Sequence, residues 1–366
     1  MSEAPLLFNA AIAPKDAAPQ HGPRPLPLFL DILWRETQHD PELRRRAFVG
    51  LSRYQQAVRP PSPAAMPVMA QAGPARLFHY GAHNKGESRA PLVFIPSLIN
   101  PPTVLDLSES QSVLRGLARA GHDPWLVDWG TPGPGDGGLD LAGHVLHRLL
   151  PLLEALDRPP ILIGYCLGGT LAMAAAGLMP AIAGLVTIAT PWDFGGFPDA
   201  ARAEVSRMWG ASKAVCTRLG YVPMEVLQSG FWSMDPARTI RKYAGFGEVD
   251  PDSDRARAFL ALEDWANAGP PLTFAAGREL FEDLYAANKT GAGSWTVGDI
   301  AINASEMACP TLSIRSSSDR IVPAATAPAL AEQWLLDLGH VGMVVGGRAS
   351  DMLWHPLSQW LSKHEG

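Results

Sequence analysis

The sequence predicts an α/β fold, a mostly parallel central sheet flanked by helices, and three observations carry that reading. Short apolar runs such as Pro91–Pro96 and Ile161–Tyr165 alternate with helix-like segments, the pattern of parallel strands covered on both faces. One such run ends in Gly164-Tyr165-Cys166-Leu167-Gly168-Gly169 and passes at once into the small-residue segment Leu171–Ala176, which reads as strand, sharp turn and helix. From about Gly195 to Gly298 the alternation lapses, and it resumes near Cys309, as expected of an insertion carried by the sheet.

Composition narrows the function. At 366 residues and 47% hydrophobic the chain can bury a large core. A net charge of -6 argues against nucleic acid, and no basic block suits an anionic membrane. Cys166, Cys216 and Cys309 are too widely separated for a disulfide framework or a zinc cluster. A reducing cytoplasm is the expected compartment, and Met1–Pro5 has no basic stretch leading into an apolar one, so no secretory signal is expected.

Taken in order, residues 1 to about 25 are rich in Pro and Ala and are expected to be poorly ordered. Helices follow around Leu28–Trp34 and from Asp40-Pro41, where Asp caps and Pro opens the helix; Pro60-Pro61 ends the second. After a Pro/Ala linker, Arg76–Tyr80 reads as an edge strand and Pro91–Pro96 as a buried one. Ser108–Ala120 reads as a helix, Asp123–Trp129 as a strand, and Leu141–Leu156 as the helix leading to the elbow. Leu171–Trp192 is apolar enough to suggest a membrane span, but Pro180 divides it into a buried helix and a strand, Ala183–Ala189. The last strands are Cys309–Arg315 and Trp334–Leu338, and a helix from about Met352 to His364 closes the chain. The domain reading is therefore an N-terminal extension over 1–75, a core over 76–194 and 299–366, and a cap over 195–298 after the sixth strand.

Two motifs are set aside. Gly133–Gly138 fits Gly-x-Gly-x-x-Gly, but Pro134 lacks an N–H, the match lies deep in the chain, and no acidic residue ends a strand about 20 residues on. His144 and His147 lie at i, i+3 without a carboxylate or cysteine partner, so they read as a solvated helix face and no metal site is expected.

The elbow carries the chemistry. Gly-x-Cys-x-Gly between strand and helix matches the nucleophile elbow of α/β-hydrolases with a thiol at the nucleophile position. Taken alone, Cys166 reads more readily as a buried small hydrophobe, since free cysteine is among the most buried residue types; its partners decide. Asp319 follows the next-to-last strand and His340 the last, which is the nucleophile, acid, histidine order of that fold. A histidine would accept the thiol proton while the carboxylate orients the ring. The backbone N–H groups of Leu167, at the helix start, and of Ile99, in the loop after the third strand, are the candidate oxyanion donors. A thioester on Cys166 stays reactive toward an alcohol, so acyl transfer is indicated at least as much as hydrolysis.

These residues resemble the polyhydroxyalkanoate synthases, most closely the class III catalytic subunit, over about three quarters of the chain. The matches run through Pro96–Asn100, Val104–Leu107, Leu126–Gly130, the Gly-x-Cys-x-Gly-Gly box at 164–169, Ala189–Phe194, Leu262–Trp265, Leu284–Lys289, Asp319–Pro323 and Gly339–Gly342. Arg320 stands where the family's acid motif commonly has histidine. The resemblance implies an acyltransferase that joins (R)-3-hydroxyacyl groups from coenzyme A thioesters into polyester. Coenzyme A is then part of the substrate, and no cofactor is needed. Cys166 would hold the chain, His340 would activate it, and Asp319 would orient His340 or help deprotonate the incoming hydroxyl. It also implies a second, noncatalytic subunit or a homodimer, and a place at polyester granules. A thioesterase or intracellular polyester depolymerase on the same scaffold is the alternative, and a silent granule-binding protein is a third.

Overall fold

The computed structural model describes residues 22–59, 63–81 and 89–365. The expectation of poor order over residues 1–21, and Pro60-Pro61, lie outside them. Contacts divide the chain into one unit of Met1–Pro60 with Ala237–Leu260 and another of Pro61–Pro236 with Ala261–Gly366.

The larger unit is built on eight strands: β1 Val68–Ala72, β2 Ala75–His79, β3 Leu92–Ile95, β4 Pro124–Asp128, β5 Ile161–Tyr165, β6 Gly184–Ile188, β7 Thr311–Ser316 and β8 Glu332–Leu336. Their spatial order is β1-β2-β4-β3-β5-β6-β7-β8. All ladders from β4 to β8 are parallel, whereas β2 pairs antiparallel with both β1 and β4. Every residue of β3, β5 and β6 is buried, which accounts for their unbroken apolar sequence. The strand expected at Arg76–Tyr80 is therefore not the edge. β1 lies outside it, in the stretch that reads as linker, because its burial is only partial and its apolar signal correspondingly weak.

Both faces of the sheet are covered. On one, the helical segment 141–153 and the helix Leu167–Leu178 bury Val145, Leu149, Leu171 and Met173 against Leu162 and Leu185. On the other, Val113–Arg119 and the helical stretch 350–361 bury Leu114, Leu117, Leu353 and Leu357 against Phe94, Ile163 and Val186. The helix expected from Ser108 begins only at Val113, where Ser112 accepts the Arg115 N–H at 3.0 Å. Within 141–153 the backbone passes through a π turn at Val145–Leu149. His144 is buried and its Nδ1 donates to the Asp140 carbonyl at 2.7 Å, while His147 is exposed, so the pair does not share the solvated face expected of it. No described helix is long and apolar enough to cross a membrane; Leu171–Trp192 is the buried end of a helix followed by β6.

The smaller unit packs Leu26–Glu36 and Pro41–Gln56 with the chain at Ala237–Leu260. As the sequence indicates, Asp40 caps the second helix, accepting the Leu43 N–H at 2.8 Å. Its centre is aromatic: the Tyr243 ring meets Phe29 at 4.8 Å and Tyr54 at 5.6 Å. The stretch marked as one cap over 195–298 thus contributes Ala237–Leu260 to the N-terminal helices and the remainder to the larger unit.

Candidate active site

β5 runs straight into Cys166, whose φ of 56° and ψ of -133° turn the chain sharply before the helix at Leu167. A non-glycine residue at positive φ is strained, and such strain collects at functional positions. Close packing holds the turn. A Cβ on Gly164 would overlap the Gly169 backbone, and one on Gly168 would overlap the carbonyl oxygens of Ile95 and Pro96. The Cys166 N–H donates to Ile188 O at 2.9 Å, which keeps the elbow in line with β6.

Asp319 stands in the turn after β7 and His340 in the loop after β8, both buried to 7% exposure. Asp319 Oδ1 accepts the N–H groups of Ile321 at 2.8 Å and Val322 at 3.0 Å; its Oδ2 lies 2.6 Å from His340 Nδ1. A carboxylate can only accept here, so Nδ1 carries a proton and Nε2 is left for another partner. Burial opposes a charge on His340, but the Cys166 charge, hydrogen bonds to Asp319 and Cys166, and the Asp319 charge outweigh it and push the imidazole up to about 10. The three residues singled out from the sequence are thus together at the C-terminal ends of β5, β7 and β8.

The oxyanion donors divide. Leu167 opens its helix, so its N–H has no intrahelical acceptor. Ile99 N–H, by contrast, donates to Ser97 Oγ at 3.0 Å in a local hydroxyl turn. Trp129 Nε1 holds the same loop through Pro96 O at 2.9 Å. A cavity beside this loop, lined by Leu98, Trp129, Leu139, His144, Arg148 and Leu272 among others, includes none of Cys166, Asp319 and His340. Among the described residues no group of three or more His, Cys, Asp or Glu side chains is placed to hold a metal ion.

Other residues gain a place that spacing alone does not give. Tyr285 packs its ring on Phe194 at 4.8 Å and Phe197 at 5.0 Å, and its phenol is pushed up by burial and then by the charge at Cys166. Asn288 Oδ1 accepts the Phe194 N–H at 2.7 Å, its Nδ2 donates to Asp193 Oδ1 at 2.8 Å, and Thr290 Oγ1 donates to Trp192 O. The Leu284–Lys289 motif therefore ties the inserted stretch to the loop after β6. Arg320 donates to Asp235 Oδ2 at 2.8 Å.

Comparison with known proteins follows the same lines. Residues 90–355 match the alpha/beta hydrolase fold family. The chain is 30% identical over 291 residues to the poly(3-hydroxyalkanoate) polymerase subunit PhaC of Thiocystis violacea, covering 75% of this chain and 81% of that one. It is 28% identical over 289 residues to the protein of the same name from Allochromatium vinosum, with the same coverage of 75% and 81%. The solved structure of BpoC from Mycobacterium tuberculosis H37Rv superposes with a TM-score of 0.51 at 15% identity, over 83% of this chain and 100% of that one, a likeness of fold alone.

Proposed function

The chain belongs to the poly(3-hydroxyalkanoate) polymerase family on the alpha/beta hydrolase fold, and from that premise we propose that it polymerises (R)-3-hydroxyacyl groups from their coenzyme A thioesters through a covalent acyl-enzyme on Cys166. The observation that carries the reading is the 2.6 Å hydrogen bond between Asp319 and His340, with Cys166 near enough to raise the imidazole's pKa.

In this mechanism the Cys166 thiolate attacks the thioester carbonyl carbon. The new C–Sγ bond forms, the bond to the coenzyme A sulfur breaks, and the His340 imidazolium protonates the leaving thiolate. Neutral His340 then takes the proton of a second substrate's 3-hydroxyl. That oxygen attacks the acyl carbon, the ester C–O bond forms and the C–Sγ bond breaks. Asp319 acts through His340: both of its oxygens are already engaged, one by the imidazole and one by two backbone amides. The Leu167 N–H is the proposed donor to the oxyanion. A second, noncatalytic subunit and a granule surface are the proposed partners, and no cofactor takes part.

The test is incubation with (R)-3-hydroxybutyryl-coenzyme A, with coenzyme A release and the acyl product followed and Cys166→Ala as control. Release with oligomeric or insoluble ester, lost in the variant, supports the reading. Release of free 3-hydroxybutyrate alone makes the protein a hydrolase instead.

A further inference from the structure

Tyr165 is the last residue of β5, one position before Cys166, and it is only 3% exposed. It meets His340 twice. Its hydroxyl donates to the His340 carbonyl oxygen at 3.2 Å, and its ring centroid stands 5.2 Å from the imidazole's with the planes tilted by 32°. The loop that carries His340 runs through Gly339 into a helical turn that begins at Gly342, and contacts from outside it fix the backbone at the freer glycine end. One is Ser316, whose Oγ accepts the Leu338 N–H at 3.3 Å. Tyr165 is another, and it holds the carbonyl of His340 itself.

We propose that Tyr165 is a positioning residue for His340, its hydroxyl fixing the backbone of the histidine loop and its ring lying against the imidazole to favour the cationic form. The inference rests on the reading of Cys166 and His340 as the reacting pair. Among the described residues, Asp319 from the turn after β7, Cys166 at the elbow and Tyr165 from β5 bear on His340. Burial, then the charges at Cys166 and Asp319, drive the Tyr165 phenol well above its ordinary range, so it keeps its proton and remains a donor. An aromatic face within about 6 Å of a cation stabilises that cation, more so where water is excluded.

The test uses Tyr165→Phe and Tyr165→Leu, with the rate of Cys166 alkylation by iodoacetamide followed against pH and read from the mass of the Cys166 peptide. This readout needs no acyl substrate, so it decides the role of the Tyr165 ring even if the protein polymerises nothing, while the carbonyl anchor is read from turnover. The upper inflection of the profile reports loss of the imidazolium proton. Losing the ring destabilises the imidazolium, so in Tyr165→Leu that inflection is expected to fall by about half a unit to one unit. Tyr165→Phe keeps the ring and is expected to keep the inflection, while losing the carbonyl anchor lowers kcat roughly fivefold with KM unchanged. If Tyr165→Leu retains the wild-type inflection, or Tyr165→Phe retains the wild-type kcat, the proposal is overturned. Tyr165→Phe, nearly the same shape, keeps the question decidable should the leucine variant fail to fold.

Discussion

Replacing Asp319 by Asn tests the site most directly, because the change alters hydrogen-bonding sense without altering size. Asp319 Oδ1 already accepts two backbone N–H groups, from Ile321 and Val322. In Asp319→Asn the amide oxygen keeps those two bonds, so its NH2 faces His340 Nδ1. The ring must then carry its proton on Nε2, toward Cys166, and cannot accept the thiol proton. Restoring the productive tautomer requires the amide to flip and give up both backbone bonds, at about 1 kcal/mol each. Loss of the charged acceptor costs the imidazolium a further 2 kcal/mol or so. A total of about 4 kcal/mol corresponds to roughly a thousandfold in rate. The assay is single-turnover release of coenzyme A from (R)-3-hydroxybutyryl-coenzyme A near neutral pH, with thermal melting to show that the variant remains folded. A folded Asp319→Asn protein within tenfold of the wild-type rate would falsify the assignment of Asp319 as the group that orients His340.

Three further outcomes follow from the same geometry. Gly168→Ala places a methyl against the carbonyl oxygens of Ile95 and Pro96, and because backbone cannot step aside we expect at least about 3 kcal/mol of destabilisation in urea unfolding; a loss below 1 kcal/mol would mean that the loop after β3 is not packed against the elbow as described. Arg320→Ala removes an ion pair whose side chains are 72% and 26% exposed, so unfolding should shift by less than about 1 kcal/mol and turnover by less than about twofold; a tenfold loss of turnover would give Arg320 a part in the reaction. His340 is pushed up to about 10, so the folded chain holds a proton that an unfolded histidine releases near its ordinary value of about 6.5. The stabilisation is complete below about 6.5 and disappears as pH rises through about 10. Melting temperature should therefore fall across that window, and a His340→Gln protein with the same slope would show that the proton is bound elsewhere.

Much of this was legible in the sequence, for a physical reason. β3, β5 and β6 are buried on both faces, so their residues had to be apolar throughout, and each announces itself as an unbroken run. The elbow was legible because close packing there excludes side chains at positions 164, 168 and 169. What remained hidden depends on direction rather than composition. β1 is half exposed and carries no period strong enough to stand out from the Pro/Ala stretch around it. That Ile99 gives its N–H to Ser97 is a matter of one hydroxyl's rotamer. Tyr165 was visible as a letter beside Cys166, but its grip on His340 joins residues 165 and 340 across the end of the sheet, which no local spacing records. His144 and His147 diverge because the π turn that begins at Val145 departs from the helical spacing on which their shared face was inferred.

The packing around the elbow also bears on how such a protein can change over generations. The Gly169 backbone excludes a side chain at Gly164, Thr190 excludes one at Gly169, and the end of β3 excludes one at Gly168. Substitutions at these places are disfavoured one at a time, since each would require its neighbour to have yielded first. Cys166 is held by the same walls only through its backbone. The socket is hereditary ballast, and the atom at its tip is the variable part: a lineage can exchange sulfur for oxygen there in one step, trying a different chemistry without rebuilding anything that holds it.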